Sequence, residues 1–303
     1  MILLTPKLDF IFKKLLAGDT GVLTDLLNSI LVLPKNRRIR SVKVKNPIVL
    51  PEEITKKYII LDILATDGSG QSYEIEMQVR RSDSYPKRAL YYLSRIYAGQ
   101  LEAGEDYEKL KPVIGIHFLD YEMFPDSEDF RFRFEMRDIR HPGLSLTDDM
   151  SLHIFELPKF ERIVRTGQMK DALGEWLHFF NHAHEEDKTM RTAYKNPAIH
   201  KAFNILETLS ADETVRHLAR VREDALRNER SELFYAEKKG LEKGRQEGRQ
   251  EGLEHGMKKG GQEKAVKTAR NLLSMAVLTP EQIAQATGLT TEEIRKLQKK
   301  KRK

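Results

Sequence analysis

The chain has no cysteine among its 303 residues, so neither a disulfide framework nor a zinc–thiolate centre can form. It has no long apolar run either. Nothing approaches the roughly 18 consecutive hydrophobic residues of a membrane span, and Met1-Ile2-Leu3-Leu4 followed by Thr5-Pro6 is too short for a secretion signal. A cytoplasmic protein without a membrane partner is the expectation. Charge of one sign is scarce as well: 52 Lys and Arg against 46 Asp and Glu leave +6. Both signs are spread along the chain and part of the excess sits in Lys299-Lys300-Lys301-Arg302-Lys303, so the pull towards polyanions is weak. The length suffices for a sizeable core and more than one domain.

What is present centres on Tyr58 to Arg80. The stretch Tyr58–Thr66, a turn at Asp67-Gly68-Ser69-Gly70, and Gln71–Val79 read as a β-hairpin. On the return strand, period-2 alternation places Ile75, Met77 and Val79 on one face and Glu74, Glu76, Gln78 and Arg80 on the other. The outgoing strand is apolar on both faces except at Asp62, and a carboxylate there is costly without a partner. A three-residue loop of Gly68, Ser69 and Gly70 pairs Asp67 with Gln71 and therefore sets Asp62 opposite Glu76. Opposed carboxylates, with Cβ atoms roughly 5 Å apart, repel unless a divalent cation joins them. A two-residue loop would set Asp62 against Ile75 instead, and a plain hairpin with a solvated acidic face is the competing reading.

Asp62 followed after the turn by Glu76-x-Gln78 resembles the PD-(D/E)XK nuclease signature, in the variant where glutamine replaces the last lysine. Leu4–Lys13, Asp62–Asp67, Tyr73–Gln78 and Lys87–Tyr92 together resemble the Rpn family of recombination-promoting nucleases and transposases, over residues 1 to about 260. The resemblance implies an α/β fold with a PD-(D/E)XK restriction-endonuclease-like core, a mixed central sheet flanked by helices, followed by an α-helical C-terminal region. It implies a metal-dependent DNA endonuclease of recombination or mobile-element biology. Asp62, Glu76 and Gln78 would be catalytic, with Mg2+ (or Mn2+ or Ca2+) held by Asp62 and Glu76. Asp9, in the first turn of a helix carrying Leu8, Phe12, Leu15 and Leu16, is a third ligand or a partner of the helix dipole. Gln78 can orient water but brings no positive charge; Lys87 or Arg88 could compensate.

The other elements follow from local signals. Ser82-Asp83-Ser84 and Pro86 open a helix to about Leu101. Leu90, Leu93, Ile96 and Tyr97 are expected to face the sheet, while Lys87, Arg88, Tyr91, Tyr92 and Arg95 occupy other faces. Lys87, Arg88 and Arg95 there are candidate DNA contacts, packing and solvation being the alternative. Val113–Phe118 is expected as a parallel central strand reached by that helix, with His117 a structural histidine. Phe130–Arg137 reads as an antiparallel or edge strand, and Ser151–Lys159 as a strand stopped by Pro158. His178 and His182 have the i, i+4 spacing of a helix-borne zinc site, but no third anchored ligand is evident.

Four segments result: a nuclease-like domain over 1–185, a helical extension over 186–235, a charged segment over 236–262 and a small helix-turn-helix-like module with a basic tail over 263–303. In the third segment Gly240, Gly244, Gly248, Gly252, Gly256 and Gly260 recur every fourth residue. Each costs a helix about 1 kcal/mol, so a linker and a helix both fit, with the linker or a frayed helix slightly favoured. DNA is the expected partner, and the helical C-terminal region offers a route to a homo-oligomer. The alternative function is a weak or inactive nuclease scaffold that binds DNA or assembles.

Overall fold

The computed structural model describes residues 2–45, 48–49, 59–60, 63–164, 171–186 and 190–300. They form two compact units, Met1–Ala225 and Leu226–Lys303. The first opens with α1 (Asp9–Ala17) and α2 (Thr20–Leu31), each burying one apolar stripe: Ile11, Phe12, Leu15 and Leu16 in α1, and Val22, Leu23, Leu26, Leu27 and Ile30 in α2. Asp19 caps α2 by accepting from the backbone amides of Gly21 and Val22 at 3.0 and 3.1 Å.

Among the described residues eight strands follow: β1 (Val42–Lys45), β2 (Ile48–Val49), β3 (Ile59–Ile60), β4 (Ile63–Asp67), β5 (Ser72–Gln78), β6 (Val113–Leu119), β7 (Arg131–Glu135) and β8 (Met150–Glu156). Helix α3 (Tyr85–Ala98) lies between β5 and β6; α4 (Leu157–Val164), α5 (Ala172–His182), α6 (Pro197–Ala211) and the long α7 (Glu213–Met275) come after β8. Six strands make one sheet in the order β1-β4-β5-β6-β8-β7, while β2 and β3 pair separately. Both β5–β6 and β6–β8 are parallel, and the remaining pairs of the large sheet are antiparallel. The sheet is thus mixed and flanked by helices, as the resemblance implies. The expected roles of β6 as a central parallel strand and β7 as an antiparallel edge are both met. Pro158 does more than stop β8, since it falls in the first turn of α4, where a missing N–H costs nothing.

Register sorts the sheet into two faces. On one, Ile75, Met77, Ile116, Phe118 and Phe155 are buried, and the Phe118 ring lies 6.0 Å from Phe12 of α1 and 4.9 Å from Phe180 of α5. The other is covered by α3, whose Tyr85 and Ala89 pack with Leu119 and Ile154, while Tyr92 and Ile96 pack on Leu64. Gly115 allows this close approach: a Cβ there would stand 2.8 Å from Leu152 and 3.1 Å from Leu93. Leu90, expected against the sheet, is 56% exposed. The buried stripe runs Tyr85–Ala89–Leu93, i, i+4, i+8, and Leu90 is one residue, about 100°, off it.

In the second unit α7 continues helical through every glycine of the periodic segment to Met275, so of the two structures open for that stretch the helix is the one found. Its last turns pack with α8 (Pro280–Thr287) and α9 (Thr291–Lys300) around Ala269, Ile283, Leu289 and Ile294. Thr279 and Gln282 form a reciprocal capping box at the start of α8. Among the described residues no helix is long and apolar enough to cross a membrane.

Candidate metal centre on the covered face of the sheet

The β4–β5 turn determines which side chains meet. Asp67 Oδ1 accepts from the amides of Ser69 (2.8 Å) and Gln71 (3.1 Å), the Asp67 amide donates to the Gln71 carbonyl at 3.1 Å, and Gly70 takes a left-handed φ of +89°. The resulting register, Ile63 opposite Ile75 and Leu64 opposite Glu74, is the one a three-residue loop predicts. Asp62 lies outside the described residues.

Along β5, Glu74, Glu76 and Gln78 share the face covered by α3, and the parallel pairing sets His117 of β6 beside Glu76. This face is not solvated: Glu74 is 0%, Glu76 4% and His117 0% exposed. One candidate ligand atom from each of Glu74, Glu76 and His117 lies within 4.8 Å of the others. His117 Nε2 meets Glu74 Oε2, and its Nδ1 is 2.5 Å from the Tyr85 hydroxyl. Burial first, and then the charges of Glu76 and Glu74, push the Tyr85 phenol well above its ordinary pKa. It stays neutral throughout the physiological range. Among the described residues Glu74 Oε1 has no hydrogen-bond partner.

Gln78 ends the strand, and its Oε1 accepts from Arg88 Nη2 at 2.7 Å. The Arg88 guanidinium also sits 5.4 Å from the centre of the Tyr85 ring. Tyr121 stands nearby, its pKa raised to about 12 by burial, with Arg88 opposing and Glu76 adding to the shift. Arg81, Ser82, Asp83, Pro86, Tyr121 and Met123 line an open cleft of 190 Å³ at this end of the sheet.

The other sequence candidates fall elsewhere. Lys87 is exposed and Arg95 half-buried on α3. Asp9 accepts from the Phe10 amide at 2.8 Å and pairs with Arg222 of α7 at 2.7 Å. His178 Nδ1 lies 2.9 Å from the Tyr194 hydroxyl and His182 Nε2 2.6 Å from Glu161; the described residues form no metal-ligating group of three there.

Three residues of the cluster escaped sequence reasoning. Glu74 was on the right face by parity but had no partner. His117 looked structural because the register between β5 and β6, joined through α3 rather than a turn, cannot be counted from sequence. Tyr85 carried no signal beyond the helix start. Two carboxylates and an imidazole are a suitable donor set for a divalent cation. A buried carboxylate pair with an unbonded oxygen is moreover an arrangement that a cation would relieve.

A mixed sheet whose second hairpin strand carries an acid and then E-x-Q, flanked by helices, defines a nuclease-type α/β domain. Residues 6–236 match the PD-(D/E)XK nuclease family transposase, and the chain belongs to that family. Among curated proteins and among solved structures, none matches.

Proposed function

We propose that the protein is a metal-dependent DNA endonuclease that hydrolyses phosphodiester bonds in recombination or mobile-element biology. The observation that carries this reading is the Arg88–Gln78 hydrogen bond beside the buried acids. Glutamine in the usual lysine position lacks charge, and here a guanidinium supplies it through a bond to the amide oxygen. That bond directs the Gln78 amide so that its N–H groups are free to orient a water or a phosphate oxygen. Glu76 and Asp62 would hold the cation, for which Mg2+ is the first choice. When bound, it supplies Lewis-acid polarisation of the scissile phosphate and a lowered pKa for the attacking water. Arg88, with Lys87 and Arg95 further along α3, would meet the DNA backbone. Asp9 needs no ligand role, since Arg222 already compensates its charge. The reading places the protein in the cytoplasm, with the helical C-terminal region as the site of any self-association.

Purified protein with Mg2+ should nick or linearise plasmid DNA, EDTA should stop it, and Asp62→Ala and Glu76→Ala should each reduce the rate at least about 100-fold. The burial of Glu76 beneath α3 favours a second reading, an inactive scaffold that binds DNA or assembles. Intact DNA binding without cleavage in any metal would establish that reading instead.

A further inference from the structure

The Glu74–His117–Tyr85 chain is more than the nuclease reading requires. Glu74 and Glu76 project from β5 on one face, two residues apart, and His117 stands beside Glu76 on the neighbouring parallel strand. All three are buried with ligand atoms gathered within 4.8 Å. The imidazole is held at both nitrogens, Nε2 towards Glu74 and Nδ1 towards the Tyr85 hydroxyl. Metal-bound histidines usually have this second contact, in which the nitrogen that does not bind the metal donates its proton to an oxygen that fixes tautomer and ring orientation. Tyr85 is itself fixed by packing with Ala89, Leu119 and Ile154 and by the guanidinium of Arg88 near its ring.

We propose that His117 joins Glu74 and Glu76 as an imidazole ligand, with Tyr85 as the oxygen that orients it, and that the centre therefore selects a first-row transition ion over Mg2+ or Ca2+. The inference rests on the metal-dependent reading above, adds Glu74 and His117 to the ligands named there, and replaces Mg2+ as the first choice of ion. Mg2+ and Ca2+ favour all-oxygen shells, and Mg2+ retains its waters, whereas an imidazole nitrogen strengthens binding of Mn2+ and still more of Co2+. A buried site with one nitrogen among its three donors lacks the oxygen count of an Mg2+ or Ca2+ shell. Binding would take the proton by which Nε2 donates to Glu74 and carry it at Nδ1 instead, so that the Nε2 lone pair faces the ion and Nδ1–H donates to the Tyr85 hydroxyl.

Calorimetric titration of the full-length chain with MnCl2, CoCl2 and MgCl2, together with the visible spectrum of the Co2+ form, tests this. The expected result is Mn2+ and Co2+ binding at least about 10-fold tighter than Mg2+. His117→Gln should remove that preference and shift the Co2+ bands, and Tyr85→Phe should weaken Co2+ by about 10-fold with the circular dichroism spectrum retained. Equal wild-type affinities for Mn2+ and Mg2+, a comparison that needs no variant to fold, would overturn the inference and leave the metal-dependent nuclease standing. Failure of all three ions to bind would remove both.

Discussion

The two faces of the large sheet are equally dry and differently built. Beneath α1 and α5, Phe118 meets Phe12 and Phe180 in a hydrocarbon layer, where dispersion and exclusion of water do the work. Beneath α3, the same strands present Glu74, Glu76, His117 and Glu156, and each needs a designated partner. Lys159, 1% exposed, stands 2.7 Å from Glu156 Oε2, and the Met123 and Phe124 amides donate to Glu156 Oε1 at 2.7 and 2.9 Å. One strand, β6, serves both faces with residues one position apart. Burial therefore says nothing about polarity here: the first face stores stability, and the second stores charge at a cost that a cation and its substrate would turn to use.

This contrast can be broken from either side. The largest effect is expected from Phe118→Ala, which should lower unfolding free energy in urea by about 3–5 kcal/mol through lost transfer and an unfilled cavity. A loss under 1 kcal/mol would mean that the layer is not close-packed. The next concerns a titratable residue on the apolar face, His153 of β8, which is 2% exposed. Burial, with Arg133 and Arg131 adding, pushes its pKa down to about 4. The unfolded chain then binds a proton near pH 6.5 that the folded one refuses. Stability is complete above pH 7 and falls as the pH drops through 6.5 towards 4, by about 2 kcal/mol between pH 7 and 5. Urea midpoints at the two pH values should converge in His153→Leu, and an unchanged difference would assign the loss to other groups. The smallest effect belongs to the polar face: Arg88→Met should slow cleavage about 10-fold, roughly 1.4 kcal/mol, by releasing Gln78. Arg88→Lys should fall between, a point charge being a poorer fit to the amide oxygen than a guanidinium.

Much of the fold was legible where it depends on neighbours in sequence. The β4–β5 register follows from a turn whose glycine at position 70 takes a left-handed conformation, and the edge position of β7 follows from its alternation of Phe and Arg. Elements fixed by distant partners were not legible. Whether the acidic face of β5 meets water depends on α3 lying across it, and nothing local to Glu74 or Glu76 reports that. Leu90 looked like a sheet-facing residue because α3 is apolar on more than one side; the choice was made by the fit of Leu93 over Gly115 and of Ala89 against Leu119 and Ile154. Asp9 looked like a ligand or a dipole partner, and Arg222, far along the chain, is what it meets. For the site, sequence parity put Glu76 and Gln78 on one face and offered Lys87 or Arg88 as a compensating cation; Arg88 is hydrogen-bonded to Gln78, and Lys87 is exposed. The imidazole of His117 could not be placed because a crossover helix, unlike a turn, leaves register free.

The periodic glycines of α7 have a kinetic consequence. From Gly240 to Gly261 a Cβ added at any of them would meet nothing within 4 Å, and Leu233, Phe234, Leu241, Leu253 and Met257 around them are exposed. Packing adds little to the backbone hydrogen bonds of this stretch, and every glycine takes about 1 kcal/mol from them. Its amides should therefore trade their protons for deuterons through small, frequent openings, while those of β5 and β6 wait for the whole sheet to come apart. One unbroken helix by shape, α7 is in lifetime two materials: the end turns, where Val215 and Ala219 are buried and Arg222 pairs with Asp9 or where the helix packs with α8 and α9, and between them a span that opens and recloses many times for each unfolding of the sheet.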